Sequence, residues 1–241
     1  MFLLMPGMAL YFVYITLAVL PAALLLIYIY RQDKLEKEPM GLLLSLLLMG
    51  VLAGLLSMIL ETIGTIALDL SGLSPASPVY TILMAFLVVA AVEEGTKYFL
   101  MHLRVWKKPF FNFRFDGVVY AVFTSLGFAG MENIIYGLGY GPSVLIPRAL
   151  LSIPGHMGFA VLFGIYYGRA RQCENMGRPD QAKVNILKGY LLSVFIHGLY
   201  DTCAMLSTMS SMLIFALVVI AIYIIIFRTV RKEARTDQRI R

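Results

Sequence analysis

Seven apolar stretches, each near or above the roughly 20 residues that a membrane-spanning helix requires, divide the chain from end to end. They run approximately over 7–30, 40–68, 79–103, 117–138, 144–168, 184–206 and 209–228. Each is apolar nearly all round, which is how a helix enclosed by lipid or by other buried helices reads. A soluble core could not hide so much apolar surface. Of the 241 residues, 60% are hydrophobic and 14% charged, against about 45–50% and about 25% in soluble domains. The expectation is an all-α, polytopic membrane protein with one membrane-embedded domain over 1–241. MFLLMPGMAL carries no basic leader and opens a stretch long enough to span, so no cleavable signal peptide is expected.

The joints between the stretches alternate in character. RQDKLEKEP, RVWKKPFFNFRFD and GRARQCENMGRPDQAK are charged, whereas SGLSPASP and GLGYGP are not. Of the 20 Lys and Arg residues, all but Lys97, Arg148 and Lys188 fall in the charged joints, their flanks or the tail at about 228–241. With seven alternating spans these all lie on one side. Basic flanks are retained in the cytoplasm, so the N-terminus is expected outside and the C-terminus inside. The net charge of +6 is thereby explained by topology. No basic, aromatic-interleaved face remains for nucleic acid. The tail reads as an orienting segment attracted to anionic lipid. Cys173 and Cys203 are separated by a helix, which argues against a disulfide or a cysteine zinc site.

The ionisable residues left inside the spans carry the functional information. One Asp, Lys or Arg at a helix centre costs about 2.5–3.5 kcal/mol, so several together must face one another or a water-filled cavity. Glu93 and Lys97 stand at i and i+4, and Glu94 and Lys97 at i and i+3, so Lys97 can neutralise one glutamate. The other is left without a local partner and is free to act as a general base. His197 and Asp201 share a face of the sixth span. His156 lies in the fifth, among Pro154, Gly155 and Gly158. Glu132 and Tyr136 share a face of the fourth, with Asn133 beside them. Glu132 reads either as a support for a histidine or a loop, or as a participant. Asp116 reads as the N-cap of the fourth span. Glu61 and Asp69 read as solvent-facing or structural. Arg148 has two readings, as a partner of Glu132 or as a contact to a substrate backbone. Carboxylates and imidazoles together can activate water. The same set, through Glu93, His156 and His197, can also hold a divalent metal such as zinc, with water in the open position. Neither H-E-x-x-H nor G-x-S-x-G occurs.

The ordered set of EExxK at Glu93–Lys97, FDG at Phe115–Gly117, ENIIY at Glu132–Tyr136, the His156 segment and HGLYD at His197–Asp201 resembles the PrsW family. These are bacterial membrane-embedded proteases similar to the CAAX prenyl endopeptidases, and the resemblance spans roughly residues 8–228. It implies a multi-pass protein of the bacterial plasma membrane. It also implies an endopeptidase that cuts a membrane-anchored protein, in the family's best-known role an anti-sigma factor. By the same resemblance Glu93 is the general base, Glu94 supports it, and His156 binds or polarises the water. His197 and Asp201 would stabilise the oxyanion. Asp201 stands where CAAX enzymes often carry Asn and would instead orient His197 or ligate a metal. Two positions depart from the CAAX pattern: Lys97 replaces an arginine, and Ser152 replaces a phenylalanine four residues before the histidine. The family is treated both as metal-dependent and as glutamate-dependent, so a metal and no cofactor both stay open. Two other classes also bury such charges. One is an ion-coupled transporter, although no inverted repeat is visible. The other is a non-catalytic membrane scaffold.

Overall fold

The computed structural model describes residues 5–240, with side chains from residue 13 onward; Met1–Leu4 and Arg241, the last residue of the basic tail, lie outside the described residues. Among the described residues the chain forms seven long helices. They are α1 (Met5–Gln32), α2 (Met40–Asp69), α3 (Pro78–Val105), α4 (Asp116–Tyr140), α5 (Pro142–Asn175), α6 (Pro179–Leu206) and α7 (Met209–Arg235). The boundaries fall within a few residues of those expected for α1 to α4, whereas α5 runs on to Asn175, α6 begins early at Pro179 and α7 runs on to Arg235. Six of the seven are long and apolar enough to cross a membrane. The exception is α6, whose 28 residues include Lys183, Lys188, His197 and Asp201; its polar side chains lower its hydropathy without shortening it.

Local chemistry sets the helix ends. Ser77 caps α3 by accepting the Tyr80 N–H, with Pro78 in the first turn, where its missing N–H costs nothing. Thr208 and Ser211 form a reciprocal capping box at the start of α7. Just before it, Ser207 turns the chain with φ 48°. Within α5 the backbone breaks at Leu151 (φ −117°, ψ −58°). Pro154 lacks the N–H that would bond the Leu150 carbonyl. The Tyr223 hydroxyl of α7 donates to that oxygen at 2.7 Å. This is how a broken helix stays satisfied in a membrane.

Helix α4 is the axis of the bundle. Every residue from Asp116 to Gly130 is buried, which explains why the segment has no amphipathic stripe. Small residues let its neighbours close in. A Cβ at Gly50 of α2 would stand 2.0 Å from the Thr124 carbonyl oxygen, and one at Gly127 would stand 2.3 Å from that of Leu47. On the α5 side, a Cβ at Gly168 would lie 2.0 Å from the Arg114 carbonyl oxygen, and one at Gly164 would lie 2.5 Å from the Val118 Cα. Helices α1, α2 and α7 turn Leu24, Leu52, Ile59, Leu213 and Leu217 outward, the surface expected toward lipid.

The charged joints gather at one end of the bundle. There the tail docks on the joint between α3 and α4. The Ile240 N–H donates to the Asn112 carbonyl at 2.7 Å, and the Arg114 N–H to that of Gln238 at 3.0 Å. Asp237 accepts the Phe115 N–H at 2.9 Å. Asp116 does not cap α4. It is the first residue of that helix, and its carboxylate accepts the preceding N–H groups of Asn112 and Phe113 at 3.0 and 2.7 Å. Its side chain folds back on the tight turn before the helix instead of forward over the first turn. Asp33 and Glu38, in the joint between α1 and α2, are buried at the same end. Burial pushes the Asp33 carboxyl up to about 6 and the Glu38 carboxyl up to about 7.

Candidate active site

The opposite half of the bundle encloses a cavity of about 450 Å³. Its walls come from α2 to α7, at residues between mid-helix and the ends away from the basic joints. Glu93, Glu132, Tyr136, Arg148, His156, His197 and Asp201 all line it, with Phe128, Phe159 and Tyr200.

The glutamate pair is delivered by a change in helix type. Met84–Ala90 is π-helical, and regular α-helix resumes at Ala91. A π segment inserts extra backbone into a turn and re-aims the residues beyond it. Here it precedes Glu93, Glu94 and Lys97, all three of which are buried. The two glutamates then differ sharply. Glu94 Oε1 receives the Lys97 ammonium at 2.5 Å and faces His197 Nδ1 at 2.9 Å. Glu93 is held more loosely, with Oε2 3.5 Å from Lys97 and 4.0 Å from His197 Nε2. Glu93 lines the cavity and Glu94 does not.

The imidazoles are equally defined. His156 Nδ1 stands 3.4 Å from Lys97 Nζ, and its Nε2 lies 3.0 Å from Glu132 Oε2. An ammonium only donates, so Nδ1 accepts and Nε2–H donates to Glu132. The Ser125 hydroxyl donates to the His156 carbonyl at 3.0 Å, fixing the backbone beneath the ring. His197 lies between two carboxylates, Glu94 at Nδ1 and Asp201 Oδ2 at 3.2 Å from Nε2. A ring carrying two protons would donate to both carboxylates. Phe159 stacks on His197 at 4.5 Å, and Phe128 lies under the Lys97 ammonium at 4.5 Å.

A second layer supports these groups. Arg148 Nη2 meets Glu132 Oε2 at 2.7 Å, and its Nε–H donates to Asn133 Oδ1 at 2.6 Å. Its guanidinium lies 4.0 Å over the Tyr136 ring. Of the two readings of Arg148, the structure adopts the pairing with Glu132. Asn133 is buried, and its amide donates to the Ala18 carbonyl of α1 at 3.2 Å. The structure therefore brings together Glu93, Glu94, Lys97, Glu132, Asn133, Tyr136, His156, His197 and Asp201. It leaves Asp116 out, at the basic end of α4. The contribution of α2 is not foreseen from the sequence. Gly54, Ser57, Met58 and Glu61 line the cavity, where Glu61 is half-buried. Their i, i+3, i+4, i+7 spacing is the available signal, hidden because the whole helix is apolar.

A bundle of spanning helices around a buried carboxylate–imidazole cavity is the architecture of a multi-pass membrane protein with groups able to activate water. The PrsW family profile, described as "PrsW family intramembrane metalloprotease", matches residues 38–227, and the chain belongs to that family. Relatives carrying the name Protease PrsW include that of Geobacillus kaustophilus, 35% identical over 78% of this chain and 77% of its own length. That of Bacillus subtilis is 30% identical over 79% and 82%, and that of Clostridioides difficile 27% over 87% and 84%. No solved structure matches the chain. The chain is thus a protease of a multi-pass bacterial membrane type.

The family description implies a metal, and the donor set can be tested for it. Among the described residues, ligand atoms of Glu93, Glu94 and His156 approach within 4.8 Å of one another. This differs from the expected set, since His197 turns its nitrogens to Glu94 and Asp201. The point on which the three converge is taken by the Lys97 ammonium, at 3.5, 2.5 and 3.4 Å from them. As arranged, these residues fit an ammonium and not a divalent ion.

Proposed function

We propose that the chain is a glutamate-dependent intramembrane endopeptidase. It cuts a membrane-anchored protein, in the role of an anti-sigma factor, near the membrane face away from the basic joints, with those joints in the cytoplasm. The observation that carries this reading is the asymmetry of the glutamates: Lys97 and His197 converge on Glu94, while Glu93 faces the cavity.

Glu93 takes a proton from a water in the cavity, and the hydroxide forms a bond to the carbonyl carbon of the scissile peptide. The oxyanion accepts from the His197 Nε2–H, which turns from Asp201 toward it while Glu94 keeps hold of Nδ1. The C–N bond then breaks, and the proton held by Glu93 passes to the departing amine. Glu94 and Lys97 fix the position of Glu93. Glu132 holds His156 with its Nδ1 toward Lys97, beside the water. No step needs a metal. General base catalysis supplies about 10²–10⁴-fold, and an oxyanion donor about 10²–10³-fold.

The test uses purified protein in liposomes with a single-pass substrate. Wild type is compared with Glu93→Gln and His197→Ala, each with and without a strong chelator. Both variants should lose cleavage while remaining folded, and the chelator should leave the wild-type rate unchanged. Cleavage abolished by chelation and restored by added zinc would overturn the glutamate mechanism. Full activity in Glu93→Gln would remove Glu93 from it.

A further inference from the structure

Each carboxylate lining the cavity has a cationic partner except one. Glu93 faces Lys97 at 3.5 Å, Glu132 faces Arg148 at 2.7 Å, and Asp201 faces His197 at 3.2 Å. Glu61 lines the same cavity with no hydrogen bond or ion pair to any described residue. It stands eight residues before Asp69, the end of α2, or about 12 Å of helix axis. Helix α2 has 30 residues and is about 45 Å long, so about 7 Å projects at each end beyond a hydrocarbon core of about 30 Å. With α2 centred and upright in the bilayer, Glu61 lies just inside the core, at the face away from the basic joints. A charge there is costly unless something meets it. The one guanidinium in the cavity, Arg148, is spent on Glu132 and Asn133.

We propose that Glu61 is a specificity determinant that receives a lysine or arginine side chain of the substrate, on the flank of the scissile bond nearer the outer membrane face. Lysine and arginine suit this depth because their alkyl stems lie in apolar surroundings while the charge reaches a polar partner. Gly54, Ser57 and Met58 precede Glu61 on the same face of α2, so this face forms a track leading to a terminal carboxylate. Glu61 makes no hydrogen bond or ion pair with Lys97, His156 or His197, and feels Lys97 and His197 only through longer-range electrostatics. The inference rests on the proteolytic reading of the cavity.

The test uses a single-pass substrate with Lys, Gln or Glu placed in turn at each position on the outer flank of the cut. Wild type, Glu61→Gln and Glu61→Lys are compared in liposomes. Wild type should favour Lys over Glu at one position by about tenfold in kcat/KM, with the difference in KM. The ratio should approach one in Glu61→Gln and invert in Glu61→Lys. Glu61→Asp, which keeps the charge on a shorter arm, should retain the direction of preference and guards against misfolding of the other variants. A wild type indifferent to charge at every position, or a preference unchanged in Glu61→Lys, overturns the proposal alone. No cleavage of any substrate by wild type overturns the proteolytic reading, and this one with it.

Discussion

Lys97 is the residue on which the site turns. It is fully buried, and its ammonium is within 3.5 Å of Glu93, Glu94 and His156. Removing one partner of a buried ion pair costs about 3–5 kcal/mol, because the charge left behind is uncompensated. Lys97→Met should therefore lower thermal stability in detergent by that order. Adding Glu94→Gln should return most of the stability, because it removes the carboxylate that most needs the ammonium. Glu93→Gln should behave in the opposite way, keeping the unfolding midpoint close to wild type while kcat falls by about 100-fold or more. The EExxK spacing makes the ion pair legible from sequence. It cannot say which glutamate is engaged, because that depends on His197, 103 positions away from Glu94, and on the turn of the helix. The same limit applies to Glu61, whose lack of a hydrogen bond or ion pair depends on five other helices. It applies again to Asp116, where helix-capping and turn-capping roles look alike in one dimension.

At the scale of elements, hydropathy locates six helices because a lipid-facing helix must be apolar along about 30 Å, and the polar joints around it mark out the seventh, α6. Their order of burial is not legible, since a helix surrounded by lipid and one surrounded by protein are equally apolar. Glycine positions distinguish them in retrospect. Gly117, Gly164 and Gly168 cluster where α4 crosses α5, with backbone atoms 2.0–2.6 Å from where each Cβ would be. Backbone cannot yield as a flexible side chain can. Gly168→Ala should cost about 1–3 kcal/mol, the usual range for overpacking. It should also lower activity, because α5 carries His156. Gly139→Ala is the control: nothing lies within 4 Å of its Cβ position, so its unfolding midpoint should match wild type. The π segment at Met84–Ala90 has no sequence signature that pattern reading could use. Its seven residues are all apolar and read as ordinary span.

The molecule as a whole is polarised between two buried acidic regions, one around the cavity and one at the basic end. The latter makes stability depend on pH. Asp33 and Glu38 have ordinary values of 3.8 and 4.5 and are raised to about 6 and about 7, chiefly by burial. The folded form thus binds these protons more tightly than the unfolded chain. Their contribution is fully present below about pH 4 and is lost as pH rises through about 6 and then about 7. Hydrogen exchange at the Arg114 and Ile240 amides, corrected for intrinsic rate, should be slower at pH 5.5 than at pH 7.5. Glu38→Gln should flatten the upper part of that dependence. An equal difference in wild type and variant would place its origin elsewhere.

The docking of residues 237–240 on the joint between α3 and α4 also orders events in time. A ribosome makes Arg114 and Phe115 more than 100 residues before Gln238 and Asp237, their hydrogen-bond partners in the finished protein. Until the tail arrives, all seven spans can be inserted while this joint keeps open amides at its centre. A nascent chain that stalls after α7 would have every long helix in place yet stay unsealed at the end that carries the basic joints.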